Sequence, residues 1–129
     1  MASSNVLADL GEFSGFLQTN ASLAPFTQLR LSGPAEVLVQ PRTLEELRAF
    51  VRHCMKRELP FRILGNGGNV LVSDDGVSGI VLRLGAEAFT QVAVEGNRVR
   101  AGAGATLAAV IAAATRRGLA GLETLVGLP

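Results

Sequence analysis

The chain has no tryptophan, no tyrosine, one cysteine and one histidine in 129 residues. A single cysteine rules out an internal disulfide framework, and Cys54 reads as a small core residue in a reducing cytoplasm. Charge of either sign is in short supply. Twelve Lys and Arg face eleven Asp and Glu, for a net charge of +1. That excludes the basic footprint of a nucleic-acid binder and the polybasic patch of a membrane-surface protein. No apolar run approaches the roughly 18 residues that a membrane span needs. The opening MASSNVLADLGEF has no basic residue ahead of its apolar positions, so it is not a secretory signal. No internal repeat or low-complexity tract is evident.

Glycine and apolar residues are what the chain has. Fifteen residues are glycine and 48% are hydrophobic, enough for one domain with a real core. The densest signal is Leu64 to Leu84. An apolar strand at Phe61–Leu64 runs into Gly65-Asn66-Gly67-Gly68-Asn69, and a second short strand is predicted at Val70-Leu71-Val72. Such residues accept left-handed backbone angles, and successive N–H groups can then converge on an anion. A pyrophosphate is the natural guest. No Lys-Ser or Lys-Thr pair follows, so this is not a nucleotide-hydrolysing P-loop. No third glycine opens a helix, so it is not the usual dinucleotide fingerprint. From the residues alone the run is either a phosphate nest or a plain turn. Asn69 either bonds its own backbone or meets a cofactor.

Around that loop the spacing predicts a loose helix over residues 5–18, with Val6, Leu7, Leu10, Phe13 and Leu17 at 3–4 spacing and Gly11 and Gly15 weakening it. Residues 19–35 read as turn and extended chain, and Glu36–Gln40 as a buried strand stopped by Pro41. Thr43 and Glu46 form a capping box for a helix running to about Glu58, with each side chain satisfying the other's backbone N–H. Leu44, Leu47, Val51, Cys54 and Met55 make its expected inner stripe, flanked by Phe50. Arg48, Arg52, Lys56 and Arg57 face outward. With Phe61–Leu64 this is a strand–helix–strand unit, by default a right-handed parallel crossover, and the glycine loop lies at the carboxyl end of its second strand. Gly79–Leu84 is a further strand. Gln91–Glu95 and Arg98–Ala101 form a hairpin about Gly96-Asn97. Thr106 caps a last helix to about Arg117, with Leu107, Val110, Ile111 and Ala114 as its packed stripe and Gly118 as its stop. The class is α+β.

Other chemistry-bearing residues read as structural. Asp74 and Asp75 sit in a Ser-Asp-Asp-Gly turn, where Asp supplies local hydrogen bonds. His53 lies beside an apolar stripe with no carboxylate placed to orient it, which suits a structural role. Gly102-Ala103-Gly104 is either a tight strand-to-helix turn or a point of close approach to a bound ligand. No metal ligand is assigned.

In order and spacing these pieces resemble the UDP-N-acetylenolpyruvoylglucosamine reductase (UDP-N-acetylmuramate dehydrogenase) family. That pattern is a leucine, a Gly-x-Gly-Ser-Asn loop, a short apolar strand, an acidic turn and a Gly-[Ile/Val]-Val strand. Here it is Leu64, Gly65 to Asn69, Val70 to Val72, Asp74-Asp75-Gly76 and Gly79 to Leu84. Leu23 to Thr27 and Arg30 to Ala35 look like the family's leading segment. Gly102-Ala103-Gly104, Gly118 to Glu123 and Gly127-Leu128-Pro129 look like its later landmarks. The likeness covers about residues 20–129. Gly68 stands where the family usually has serine, which removes one hydroxyl donor, and Asn66 occupies a variable position.

The resemblance implies the two-subdomain FAD-binding fold of the vanillyl-alcohol-oxidase (PCMH) type, incomplete at the C-terminus. Residues 1–20 are then an extension, 21–84 a first subdomain and 85–129 the start of a second. It implies FAD held by Leu64, Gly65, Asn66, Gly67, Gly68, Asn69 and Val70, with Gly127 and Pro129 opening a second pyrophosphate loop. The implied reaction delivers a hydride from NADPH through FAD to the enolpyruvyl double bond of a UDP-sugar in peptidoglycan synthesis, with a proton completing the reduction. The family's catalytic tyrosine, arginine, serine and glutamate lie beyond Pro129, so no catalytic residue is assigned here, and the substrate is expected to be bound mainly by that later part. The chain is expected to be the amino-terminal portion of a longer or split cytoplasmic bacterial enzyme, inactive and weak in FAD binding by itself. Two alternatives are another oxidoreductase of the same fold, acting on a hydroxy acid or alcohol, and a remnant that binds nothing.

Overall fold

A computed structural model describes residues 4–68 and 70–128. The chain starts with α1 (Ser4–Asp9), a 3-10 segment at Gly11–Phe16 and strand β1 (Leu17–Ser22). The single helix expected over 5–18 is thus split. Gly11 and Gly15 resist helix, and from Leu17 the chain pairs instead with β2 (Pro34–Val39), antiparallel, Leu17 opposite Val39 and Ser22 opposite Pro34. The expected domain boundary at residue 20 falls inside this strand.

After β2 come α2 (Leu44–Lys56), β3 (Phe61–Leu64) and β4 (Val77–Arg83). The sheet order is β1-β2-β4-β3. β2 and β3 are both parallel to β4, which lies between them. The crossover through α2 therefore skips one strand position rather than joining neighbours. β2 and β4 are central and apolar on both faces. Val37, Leu38 and Val39, and Ile80, Val81 and Leu82, are all buried. No strand forms at Val70–Val72. Val72 is buried in the core, but Val70 and Leu71 are exposed, and the segment returns as extended chain to β4.

The two sheet faces carry two cores. One gathers Leu10, Phe13, Val37, Val39, Phe50, Cys54, Ile80 and Leu82. Phe13 meets Phe50 edge-on at 5.6 Å, and Phe50 meets Phe61 at 5.9 Å. The other gathers Leu23, Ala35, Leu38, Leu64, Val72 and Val81. A bulge between Ala35 and Val37 lets residues of equal parity serve opposite faces.

The buried side of α2 is Leu47, Phe50, Val51 and Cys54, spaced i, i+3, i+4, i+7. Leu44 and Met55, expected inside, are 45% and 73% exposed. Burial pushes the Cys54 thiol up to about 11. Thr43 Oγ1 accepts the Glu46 N–H at 3.2 Å as expected. The return bond is shifted: Glu46 takes the Arg42 N–H at 2.6 Å and pairs with the Arg42 guanidinium at 2.7 Å. Those bonds hold the Glu46 carboxyl below its ordinary range, with the Thr43 N–H contributing least. His53 also differs from expectation. Its Nδ1 lies 2.8 Å from Glu12 Oε1, and its ring stands edge-on to Phe13 at 5.1 Å. The orienting carboxylate comes from the N-terminal segment, far from α2 in sequence.

A short helix α3 (Glu87–Thr90) leads to the hairpin β5 (Val92–Glu95) and β6 (Arg98–Ala101), then to α4 (Leu107–Arg116). Thr106 Oγ1 accepts the Ala109 N–H at 3.1 Å. At the other end, Gly118 and Leu119 donate to Thr115 and Ala114, closing the helix in a Schellman turn. Ala113 and Ala114 are buried as α4 packs on the hairpin. Gly102 and Gly104 are a tight packing turn. Gly104 N–H donates to the Phe89 carbonyl at 2.8 Å, and a Cβ at either glycine would strike α3 or Leu84 backbone. Among the described residues, no helix is long and apolar enough to cross a membrane.

Candidate functional site

Leu64 ends β3 inside the core, 6% exposed, so the chain leaves the sheet from a fixed point. The glycine run begins there. Gly67 is its tightest position. It has φ +69°, it is buried, and a Cβ would strike the Phe26 carbonyl and crowd Thr27 Cα at 2.8 Å. Its carbonyl accepts the Gln28 N–H at 3.2 Å. The loop is therefore pinned to the β1–β2 connection, and only glycine fits the pin. Gly65 is different, since nothing lies within 4 Å of a Cβ there. Among the described residues, no backbone carbonyl takes the N–H groups of Asn66, Gly67 or Gly68.

Asn66 and Gly68 line an open cleft of about 1340 Å³. One wall is this loop with Phe26, Thr27, Arg30 and Arg83. The opposite wall is α4, through Leu107, Ala108, Ile111, Ala112, Thr115 and Arg116. Leu107 and Ile111, expected in the packed stripe of α4, thus face the cleft as well. The floor is completed by Leu125 to Leu128. A 3-10 turn at Glu123–Leu125 sets that last segment. Glu123 accepts the Gly121 N–H at 2.6 Å, and its own N–H with those of Gly121 and Leu122 holds its carboxyl below the ordinary range. Gly127 has φ +85° with nothing near a Cβ, so its backbone is bare on the cleft.

The structure thus brings Asn66, Gly68 and Gly127 to one cleft. Gly65 and Gly67 belong to the same loop but not to the lining. Leu64 anchors the loop from the core, and Val70 is 43% exposed off the lining. Asn69 and Pro129 lie outside the described residues. Asp74 and Asp75 stay in their turn, where the Asp75 N–H donates to Ser73 Oγ at 3.3 Å. Sequence reading missed Phe26, Arg83 and the α4 face. Phe26 and Arg83 belong to segments that follow the family pattern, but only folding stacks them, with the guanidinium 4.2 Å above the ring centroid.

The chemistry of the cleft suits a dinucleotide. The charged residues of its lining are Arg30, Arg83 and Arg116, with no carboxylate among them. Apolar α4 side chains offer a surface for a flat ring, and the glycine turns offer backbone N–H groups for a diphosphate. The cleft sits at the carboxyl ends of parallel β3 and β4, where open α/β sheets bind ligands.

Comparison with known proteins agrees. The chain is 44% identical over 115 residues to a UDP-N-acetylenolpyruvoylglucosamine reductase of Bradyrhizobium sp., covering 89% of this chain and 37% of that protein. It is 43% identical over 122 residues to the reductase of Azorhizobium caulinodans, 95% and 39% of the two chains. It is 40% identical over 129 residues to that of Moorella thermoacetica, 94% and 42%. The chain thus spans about two fifths of the length of these curated relatives. The FAD binding domain family matches residues 35–128, from β2 through the last glycine turn, and the chain belongs to that family.

Proposed function

We propose that this chain is the FAD-holding part of a reductase that converts UDP-N-acetylglucosamine enolpyruvate to UDP-N-acetylmuramate in the bacterial cytoplasm, with NADPH as hydride donor. The observation that carries the FAD site is the meeting of two glycine turns, near residues 66 and 127, in one cleft without acids. The 36–44% identity to reductases over most of the chain supports this substrate over a hydroxy acid or alcohol. The first subdomain takes in all of β1 together with residues 21–84 and packs Leu10 and Phe13 in its core, and residues 85–129 belong to the second. Asn66, Gly68 and Gly127 contact the cofactor, Gly65 and Gly67 shape the loop, and Leu64 and Val70 flank it. The UDP-sugar is held mainly by the further sequence that the longer relatives contain.

Bound FAD supplies the hydride chemistry. The chain's own contribution is geometric. The pin at Gly67 fixes the loop before ligand arrives, so little ordering entropy is lost on binding. The α4 face excludes water from one side of a bound ring. The arginines offset phosphate charge.

The test joins this chain to the carboxyl-terminal part of the Moorella thermoacetica reductase. The chain alone should quench flavin fluorescence on titration with FAD but oxidise no NADPH. The chimera should oxidise NADPH only with the enolpyruvyl sugar. Oxidation of a hydroxy acid by the chimera, with none of the sugar reduced, refutes the substrate assignment.

A further inference from the structure

A diphosphate carries two negative charges, and backbone N–H groups offset only part of them. Three arginines line the cleft, but they are not equivalent. Arg30 and Arg116 are exposed, where salt screens them. Arg83 is half-buried and held on three sides. Phe26 lies beneath its guanidinium at 4.2 Å, and Nη1 donates to Gln40 Oε1 at 3.4 Å. On the third side a Cβ at Gly85 would collide with the guanidinium, so the glycine leaves that space open. No partner is a carboxylate, and among the described residues Arg83 has no ion pair. Most of its five N–H donors are therefore unspent. Arg83 ends β4 opposite Leu64, which ends β3, so the side chain stands at the start of the glycine loop.

We propose that Arg83 is the cationic seat for the diphosphate of the ligand bound across the glycine loop, with Phe26, Gln40 and Gly85 preorganising it. This rests on the FAD reading and names the side chain that neutralises the cofactor's phosphates. Arg30 and Arg116 add an outer field. FAD is one source of a diphosphate and a uridine nucleotide is another, so the test separates them.

The 129-residue chain, Arg83→Gln and Gly85→Ala are titrated with FAD, ADP, UDP and riboflavin by calorimetry, with far-UV circular dichroism as the check on folding. Arg83→Gln should weaken FAD and ADP about 10- to 100-fold, the size of a charge-assisted hydrogen bond. Riboflavin, which has no phosphate, should bind unchanged. Gly85→Ala retains every polar group but displaces the guanidinium, and should weaken FAD by a smaller factor without touching riboflavin. Unchanged ADP affinity in Arg83→Gln, or an equal loss for riboflavin, overturns the proposal. UDP bound more tightly than ADP, with the same dependence on Arg83, moves the seat to the sugar nucleotide and overturns its assignment to FAD. A chain that binds ADP but neither FAD nor riboflavin retires the flavin reading and keeps the seat. A chain that binds none of the four retires both.

Discussion

Gly67 and Gly79 both sit at positive φ, 69° and 82°, but they are glycine for different reasons. At Gly79 a Cβ would meet open space, and its cost is backbone strain alone. At Gly67 the Cβ would also drive into the Phe26 carbonyl. Gly79→Ala should therefore cost about 1 kcal/mol, and Gly67→Ala about 3 kcal/mol, because the pinned loop must move as well. Urea midpoints compare the two, and flavin titration should show weaker binding for Gly67→Ala only. Glu58 is the converse case. It occupies the left-handed C′ position of α2 at φ +54°, inside a Schellman turn in which Leu59 N–H donates to Cys54. Glycine is the residue this position favours, so Glu58→Gly should stabilise the chain by about 1 kcal/mol. A lower urea midpoint for that variant would show that the Glu58 side chain contributes more than its backbone costs.

The element that ties the first core together is α2, and its attachments differ in kind. Thr43 caps it locally, and Thr43→Ala should cost about 1 kcal/mol. His53 instead reaches out of the helix to the N-terminal segment, through Glu12 and the Phe13 ring. Its side chain is only 16% exposed. His53→Ala should lose that packing and cost about 2 kcal/mol, more than the cap. Thermal or urea unfolding of the two variants decides the order. Deleting residues before Leu17 should erase most of the difference, because Glu12 and Phe13 leave with them.

At the scale of the molecule, two chain segments are tied together and leave four large apolar side chains exposed, while Val72 beside them is buried. Gln28 N–H donates to the Gly67 carbonyl at 3.2 Å, and Gly33 N–H donates to the Ser73 carbonyl at 3.0 Å. Leu29, Leu31, Val70 and Leu71 are 61%, 68%, 43% and 82% exposed. Exposed apolar surface drives association in water. The chain should therefore self-associate with rising concentration in sedimentation velocity. Leu71→Ser should reduce that association while changing stability by no more than about 0.5 kcal/mol. Concentration-independent sedimentation of the unaltered chain would show these exposed residues to be innocuous.

Local rules were legible in the sequence. β3, the β5–β6 hairpin, the Thr43 and Thr106 caps and the Gly118 stop follow from neighbours a few residues apart, whose hydrogen bonds need no distant partner. The glycine-rich turn after β3 was legible for the same reason. Tertiary structure decided the rest. Leu17 and Gln18 joined a strand because β2 offered an unpaired edge, against the helical reading of residues 5–18. Phe50 displaced Met55 from the buried side of α2 because the sheet lies on one side of the helix. His53 found Glu12 across 41 positions of sequence. Above all, the cleft exists only where the β1–β2 connection, the glycine loop, α4 and the turn at Gly127 converge. The β1–β2 connection and the glycine loop are far in sequence from α4 and the Gly127 turn, and the two pairs meet only on folding.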